Sequence, residues 1–144
     1  MKIPRGSSLH DLHGVEGTEA KATSILDGTL RVHRRTPIER LGTEALRFLL
    51  QEGESAAVVL RVAIDRLERD PFLGGDFHPG DLLVEVLAQR SALWNAAPEL
   101  RARAYALADD AGTMSDMLEP EDRAIVERAI RDFRARWLKG GLEY

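Results

Sequence analysis

Residues 55–69 have the sequence SAAVVLRVAIDRLER, and their pattern decides the fold class. The apolar side chains recur at steps of three and four residues, the spacing of one face of an α-helix. They are Ala56, Val59, Leu60, Ala63, Ile64 and Leu67, and Val58 and Val62 widen the face. An apolar arc this wide must contact several neighbouring elements. The sequence therefore predicts a central helix that ends before Pro71, with Arg61, Asp65 and Arg69 paired along its exposed strip.

Four further stretches carry helical signals: 43–51, 82–88, 98–111 and 120–139. The third is expected to stop at Gly112, and the fourth begins at Pro120 with Glu119 in the capping position. The second stretch is apolar at six of its seven positions, so its pattern fits a buried strand as well as a helix. The Pro-Gly-Asp entry at residues 79–81 favours the helix.

No segment alternates apolar and polar residues over enough positions to indicate a sheet. We therefore expect an all-α fold, a single compact bundle of about five to seven helices with no substantial sheet. The chain has 144 residues, of which 44% are hydrophobic, so residues 1–144 are expected to form one domain. Residues 1–22 are rich in Gly, Ser and His and are expected to be poorly ordered.

The composition excludes several classes of site and partner. Cysteine is absent, which excludes disulfides, cysteine-ligated zinc, iron–sulfur clusters and a thiol nucleophile. No apolar run reaches the roughly 20 residues of a membrane helix, and residues 1–30 lack the core of a signal peptide, so we expect a soluble intracellular protein. The net charge is -4, but residues 54–122 hold 6 Lys and Arg against 14 Asp and Glu. This acidic excess disfavours nucleic acid as the partner and suits a basic protein.

Two short segments carry metal-ligand residue types. His10 and His13 would share one face of a helix, but a metal site needs three or four ligands, so we expect a polar N-terminal segment there. Asp76, His78 and Asp81 bring two carboxylates and an imidazole together, which could bind a metal or exchange protons. Glycine and proline surround them, so we expect a tight connection whose aspartates cap turns.

Residues 109–122 form an acidic run without a basic residue. Asp109 and Asp110 are expected in the last turn of a helix, where each negative charge opposes the helix dipole by ~0.3–1 kcal/mol. Charge that is unfavourable to the helix suggests that a partner selected these residues. The alternative is that the acidic run is a solvated loop.

The order of several segments resembles a known family. It begins with SLHDL at 8–12 and RRTPIERL at 34–41, continues through residues 44–51, the helix over 56–67 and DPF at 70–72, and closes on GDFHPGDLL at 75–83. This order resembles the all-helical immunity proteins of bacterial contact-dependent growth inhibition systems, whose members carry a Gly-Asp-aromatic-x-x-Gly-Asp-Leu-Leu core. The core string is expected to be mainly scaffold, because a common motif cannot encode recognition of unrelated toxins.

The resemblance implies a cytoplasmic binding protein, not an enzyme, that neutralises the C-terminal domain of a cognate toxin by occluding it. The toxin is expected to be a nuclease, whose basic groove an acidic surface can cover. We expect no cofactor, no metal, no catalytic residue, no direct contact with nucleic acid or membrane, and a monomer in a 1:1 complex.

The residues expected to contact the toxin are Asp109, Asp110, Asp116 and Glu119, with Glu85 and Asp65 as secondary candidates. The residues expected to fix the loop are Asp76, Gly80 and Asp81. Two alternatives stay open: a small helical metal-dependent hydrolase using Asp76, His78 and Asp81, and a helical adaptor or regulatory subunit unrelated to toxins.

Overall fold

The computed structural model describes residues 6–13, 25–53, 55–74 and 77–140. Within these ranges the chain forms helices and no β-strand, so the expected all-α bundle is confirmed. The α-helices are α1 (Leu9–His13), α2 (Ile25–Arg35), α3 (Thr43–Glu52), α4 (Ala56–Arg69), α5 (Asp81–Leu87), α6 (Ser91–Ala96), α7 (Pro98–Met114) and α8 (Pro120–Gly140). Two 3-10 helices span Ile38–Arg40 and Ser115–Met117. The described residues form eight α-helices, one more than the upper end of the expected five to seven. Two of them, α1 and α6, are short, with 5 and 6 residues.

Helix α4 lies in the centre of the bundle, as its wide apolar arc predicts. It packs against α3, α5 and α7. Leu60, Ile64 and Leu67 are fully buried. The helix ends at Arg69, where the N–H of Asp70 donates to the carbonyl of Arg66 before Pro71 prevents continuation.

The ambiguous apolar stretch at 82–88 is a helix, α5, which spans Asp81–Leu87. It packs against α3, α4 and α8, and Leu82, Leu83 and Val86 have no exposed surface. Neighbours on three sides explain why its sequence is apolar nearly all round.

Helix α8 closes the bundle with an aromatic cluster. The ring of Phe133 lies 5.6 Å from that of Trp94 and 6.1 Å from those of Tyr105 and Trp137, measured between centroids. The indole N–H of Trp94 donates to the carbonyl of Gln89 at 3.1 Å, so this buried ring has a polar partner. Three of these rings are buried and Tyr105 is partly buried, so the cluster is a large part of the core.

The segment Gly6–His13 is folded onto the bundle, although residues 1–22 were expected to be poorly ordered. Leu9 is 1% exposed, and the N–H of Ile38 donates to the carbonyl of Ser7 at 2.7 Å. Ser8 and Asp11 bond each other's N–H groups, which caps α1. The rest of that stretch, residues 1–5 and 14–22, lies outside the described residues.

The expected stop of α7 at Gly112 is wrong. The helix continues to Met114, so Asp109 and Asp110 lie more than one turn from its end. A glycine inside a helix costs only about 1 kcal/mol relative to alanine, and packing against α8 exceeds that cost. The conflict between these carboxylates and the helix dipole is correspondingly weaker than the sequence predicts, since the effect fades beyond the last turn.

The turn before α5 depends on Gly80. Its φ is +86°, in the left-handed region, and a Cβ built there would lie 2.8 Å from Cγ2 of the buried Val126 in α8. Its N–H donates to the carbonyl of Phe72 at 3.0 Å. Both the backbone conformation and the close approach of α8 therefore require glycine.

We expect Gly80→Ala to destabilise the protein for two additive reasons. The left-handed conformation costs about 1–2 kcal/mol for a residue with a Cβ, and overpacking against Val126 adds about 1–3 kcal/mol. Gly53→Ala is the matched control, because Gly53 has φ +73° but open space around it. Urea unfolding should show a larger loss for Gly80→Ala, and equal losses for the two variants would contradict the contact with α8.

Candidate partner-binding surface

Asp65 forms an ion pair within the chain. Arg103 of α7 places its Nη2 atom 2.5 Å from the Asp65 carboxylate and 2.6 Å from that of Glu68 on α4. The hydrogen bond from Arg103 holds the pKa of Glu68 below its usual value. Arg61 likewise reaches across to Glu99 at 3.2 Å. The predicted pairing along α4 is therefore wrong for Asp65 and Arg61, because α7 packs close enough to supply partners from another helix.

Asp109 is also paired within the chain, with Arg134 of α8. The pair stands at the wall of a groove of about 670 Å³ between α7 and α8, whose lining includes Thr113, Ile130 and Arg131. The position is surface-exposed, but the charge of Asp109 is largely balanced by its neighbour.

Asp110, Asp116 and Glu119 are exposed, and among the described residues none of them has an arginine or lysine partner. They lie at one end of the α7–α8 pair, together with Met117, whose side chain is 74% exposed. We call these four residues the acidic corner. An apolar side chain flanked by unpaired carboxylates resembles the centre and rim of a protein interface.

The 3-10 helix Ser115–Met117, which carries Asp116 and Met117 of this corner, is anchored at both ends. Ser115 is buried, and its hydroxyl donates to a carboxylate oxygen of Glu127 on α8 at 2.8 Å. Leu118 is buried at the other end, where its N–H donates to the carbonyl of Ser115 at 3.0 Å. Asp116 and Met117 therefore project outward from a turn whose position is set by contacts within the chain.

Glu85 lies on a different surface, where α5 faces α3. Its carboxylate is 3.8 Å from Arg47 and 3.4 Å from the side-chain amide of Gln89. Burial raises the pKa of Glu85, and the charge of Arg47 opposes this effect.

The loop residues have structural contacts. Asp81 is 5% exposed, and its carboxylate accepts the N–H of Phe77 at 3.1 Å. His78 places Nδ1 2.8 Å from the carbonyl of Pro79. Asp76 lies outside the described residues, as does the side chain of His13. Among the residues that are described, no three His, Asp or Glu side chains are arranged to hold a metal ion.

Sequence reasoning did not identify Met117 or the arginines that neutralise Asp65 and Asp109. The spacing rule for ion pairs applies within one helix, whereas Arg103 and Arg134 act between helices. The signal for Met117 was present, since it is an apolar residue inside an acidic run.

A family model for CDI immunity proteins, the immunity proteins of contact-dependent growth inhibition, matches residues 11–104. The chain belongs to the CDI immunity protein family. No curated protein and no solved structure matches it significantly. Membership implies that the chain neutralises a toxin by binding a toxin protein. The matched part of this immunity protein ends within α7, so the acidic corner and α8 lie beyond it.

No helix in the described part of the chain is both long and apolar enough to span a bilayer.

We expect Arg103→Gln to lower the stability of the immunity protein by up to ~1 kcal/mol at pH 7, because two exposed carboxylates lose their partner. The hydrogen bond from Arg103 depresses the folded-state pKa of Glu68 below the ordinary value of a glutamate. The stabilisation is therefore present above that value and is lost as the pH falls through the folded-state pKa.

Urea unfolding of wild type and Arg103→Gln at pH 7 and near pH 3 measures this difference. Arg90→Gln is the control, because Arg90 is exposed and makes no ion pair with the described residues. A loss of the same size at both pH values would show that Arg103 acts through packing and not through its charge.

Proposed function

We propose that this immunity protein neutralises its toxin by direct occlusion, with the acidic corner placed against the basic substrate groove of a nuclease domain. The observation that carries the proposal is a set of three exposed carboxylates with no counter-ion among the described residues, Asp110 near the C-terminal end of α7 and Asp116 and Glu119 in and just after the anchored 3-10 helix. Unbalanced surface charge raises the association rate with an oppositely charged partner.

The proposal rests on Asp110, Asp116 and Glu119 more than on Asp65 and Asp109. An aspartate that already pairs with an arginine gains little from a second cation and loses its first pair if it moves. An unpaired carboxylate in water has no such competing contact. Met117 supplies the apolar contact that a charged rim needs at its centre.

The position of the corner outside the family match supports a role in specificity. Immunity proteins of one family share a scaffold and must distinguish different toxins, so the surface that discriminates should lie outside the shared part. In this proposal the protein acts as a monomer in a 1:1 complex with the C-terminal toxin domain in the cytoplasm, without catalysis.

The hydrolase alternative receives no support from the described residues. A metal ligand or general base needs an available carboxylate, and that of Asp81 is buried and bonded to the backbone of Phe77. We therefore do not propose a catalytic role for this loop.

An immunity gene is expected to lie directly downstream of its effector gene, so the decisive experiment is co-expression with the C-terminal domain of the effector encoded there. Survival of the cells and co-purification of the two proteins would support the proposal. Nuclease activity of the purified toxin domain, titrated with the immunity protein, should fall to zero at one equivalent. Death of the co-expressing cells would overturn it.

We expect Asp110→Lys and Asp116→Lys each to slow association with the toxin domain by roughly tenfold at low ionic strength. The difference from wild type should shrink as salt screens the charges. The melting temperature should stay close to that of wild type, because neither carboxylate has an ion pair to lose with any described residue.

Glu39→Lys is the matched charge reversal, since Glu39 is exposed on the 3-10 helix Ile38–Arg40, away from the corner. It should leave the association rate near the wild-type value. Equal slowing by Glu39→Lys would mean that only net charge matters, and unchanged affinity of all variants across the salt range would rule out the corner as the docking surface.

A further inference from the structure

Phe77 is the one aromatic among the large apolar side chains that the described residues expose. Its side chain is 70% exposed, although it belongs to the core string that was expected to be scaffold. A scaffold aromatic normally stabilises a fold through burial, and Phe77 obtains little of that free energy. Its exposure therefore requires another explanation.

The exposed ring is held in place by charged groups. The guanidinium of Arg47 lies over the ring, 4.3 Å from its centroid. Arg47 is itself fixed by two hydrogen bonds from Nε to the Glu44 carboxylate, at 3.0 and 3.1 Å. The N–H of Phe77 is bonded to the buried Asp81. One face of the ring is thus covered by a cation, and contacts within the chain position both the ring and its backbone.

Beyond Arg47, the surface between α3 and α5 continues into a groove of about 430 Å³ at the C-terminal ends of both helices. Its walls include the carboxylates of Glu52 and Glu85 and a single described cation, Arg90. Burial raises the pKa of Glu85 although Arg47 lies 3.8 Å away, so a second cation near this carboxylate would favour its charged form. A cation entering the groove would meet two carboxylates.

We infer that the strip formed by Phe77, Arg47, Glu85 and Glu52 is a second docking surface for the toxin domain, which receives the Phe77 ring in an apolar recess and places a lysine or arginine in the groove. This inference rests on the proposed function, because it assumes that the chain binds a toxin domain.

The physical argument is preorganisation. An aromatic side chain that is already ordered loses little conformational entropy on binding, so more of its contact free energy appears as affinity. Rigid aromatics surrounded by polar groups are frequent centres of binding energy. The strip offers this combination in the part of the chain that the family match covers, while the acidic corner lies outside it. The two surfaces can therefore contribute separately, one to affinity and the other to discrimination between toxins.

The alternative is that the ring merely shields Arg47 and serves stability alone. The two readings differ in what Phe77→Ala changes. A shielding ring would lower the melting temperature and leave toxin affinity unchanged. A docking ring would weaken toxin binding at least tenfold, with a melting temperature close to wild type.

The test measures binding of the upstream-encoded toxin domain to the full chain by calorimetry, together with the melting temperature of each variant. Phe77→Ala should weaken binding at least tenfold, and Phe77→Leu, which keeps apolar bulk, should give a smaller loss. Glu85→Gln, which removes the charge but keeps the shape, should weaken binding several-fold and reduce its salt dependence. Val32→Ala is the control, because Val32 is 62% exposed on α2 and lies outside the strip. Its affinity should equal that of wild type.

The outcomes separate this inference from the proposed function. Wild-type affinity in folded Phe77→Ala and Phe77→Leu would overturn the strip and leave the corner intact. Loss of binding in Phe77→Ala with no effect of Asp110→Lys or Asp116→Lys would support the strip and overturn the corner. Absence of binding by the wild-type chain would overturn both.

Discussion

Seven residues, Asp81–Leu87, are enclosed by α3, α4 and α8, and a helix this short has no stability of its own in water. Its neighbours must supply both apolar contacts and partners for the polar groups at its ends. At the start of α5, Gly80 has no Cβ, so the chain can pass close to Val126. At the end of α5, Arg136 of α8 donates to the carbonyls of Gln89 at 2.7 Å and Leu87 at 3.1 Å. The other helices are placed around this enclosed element, and the surfaces on either side of it follow from that placement.

The arginines of this protein work mainly inside the fold. Arg66 donates to the carbonyl of Ile38 at 3.2 Å and also to that of Leu41, so it ties the connection before α3 to the central helix. Arg103 and Arg134 tie α7 to α4 and α8, respectively. These cations are engaged with carbonyls or paired carboxylates, and within the described ranges the carboxylates of the acidic corner have no counter-ion. The charge that a surface presents depends here on which carboxylates are already paired with arginines of neighbouring helices, more than on the net charge of the segment.

Helix positions followed from periodicity wherever one long helix has one buried face, as in α4 and α8. The pattern of α5 could not separate helix from strand, because burial on three sides removes the polar face that marks the period. The end of α7 was misplaced since Gly112 is a local signal for a stop and the contact with α8 is not local. The predicted contact residues are exposed except for Glu85, which is largely buried, and the pairing of Asp65 and Asp109 depends on distances between helices that one sequence does not contain. The exposure of Phe77 was likewise invisible, because apolar residues are assigned to the core by default.

The end of the family match inside α7 has a consequence for how this protein can change. Helix α8 lies beyond the match, yet its inner face supplies Phe133 and Trp137 to the core and its Arg136 closes the end of α5. Its outer face carries exposed residues such as Glu121, Arg128 and Asp132, which contribute little to folding. The two faces of one helix are therefore under different constraints: the inner can vary only together with the scaffold, and the outer is free to diversify. Exposed side chains along one side of this helix can therefore change while the interior stays the same.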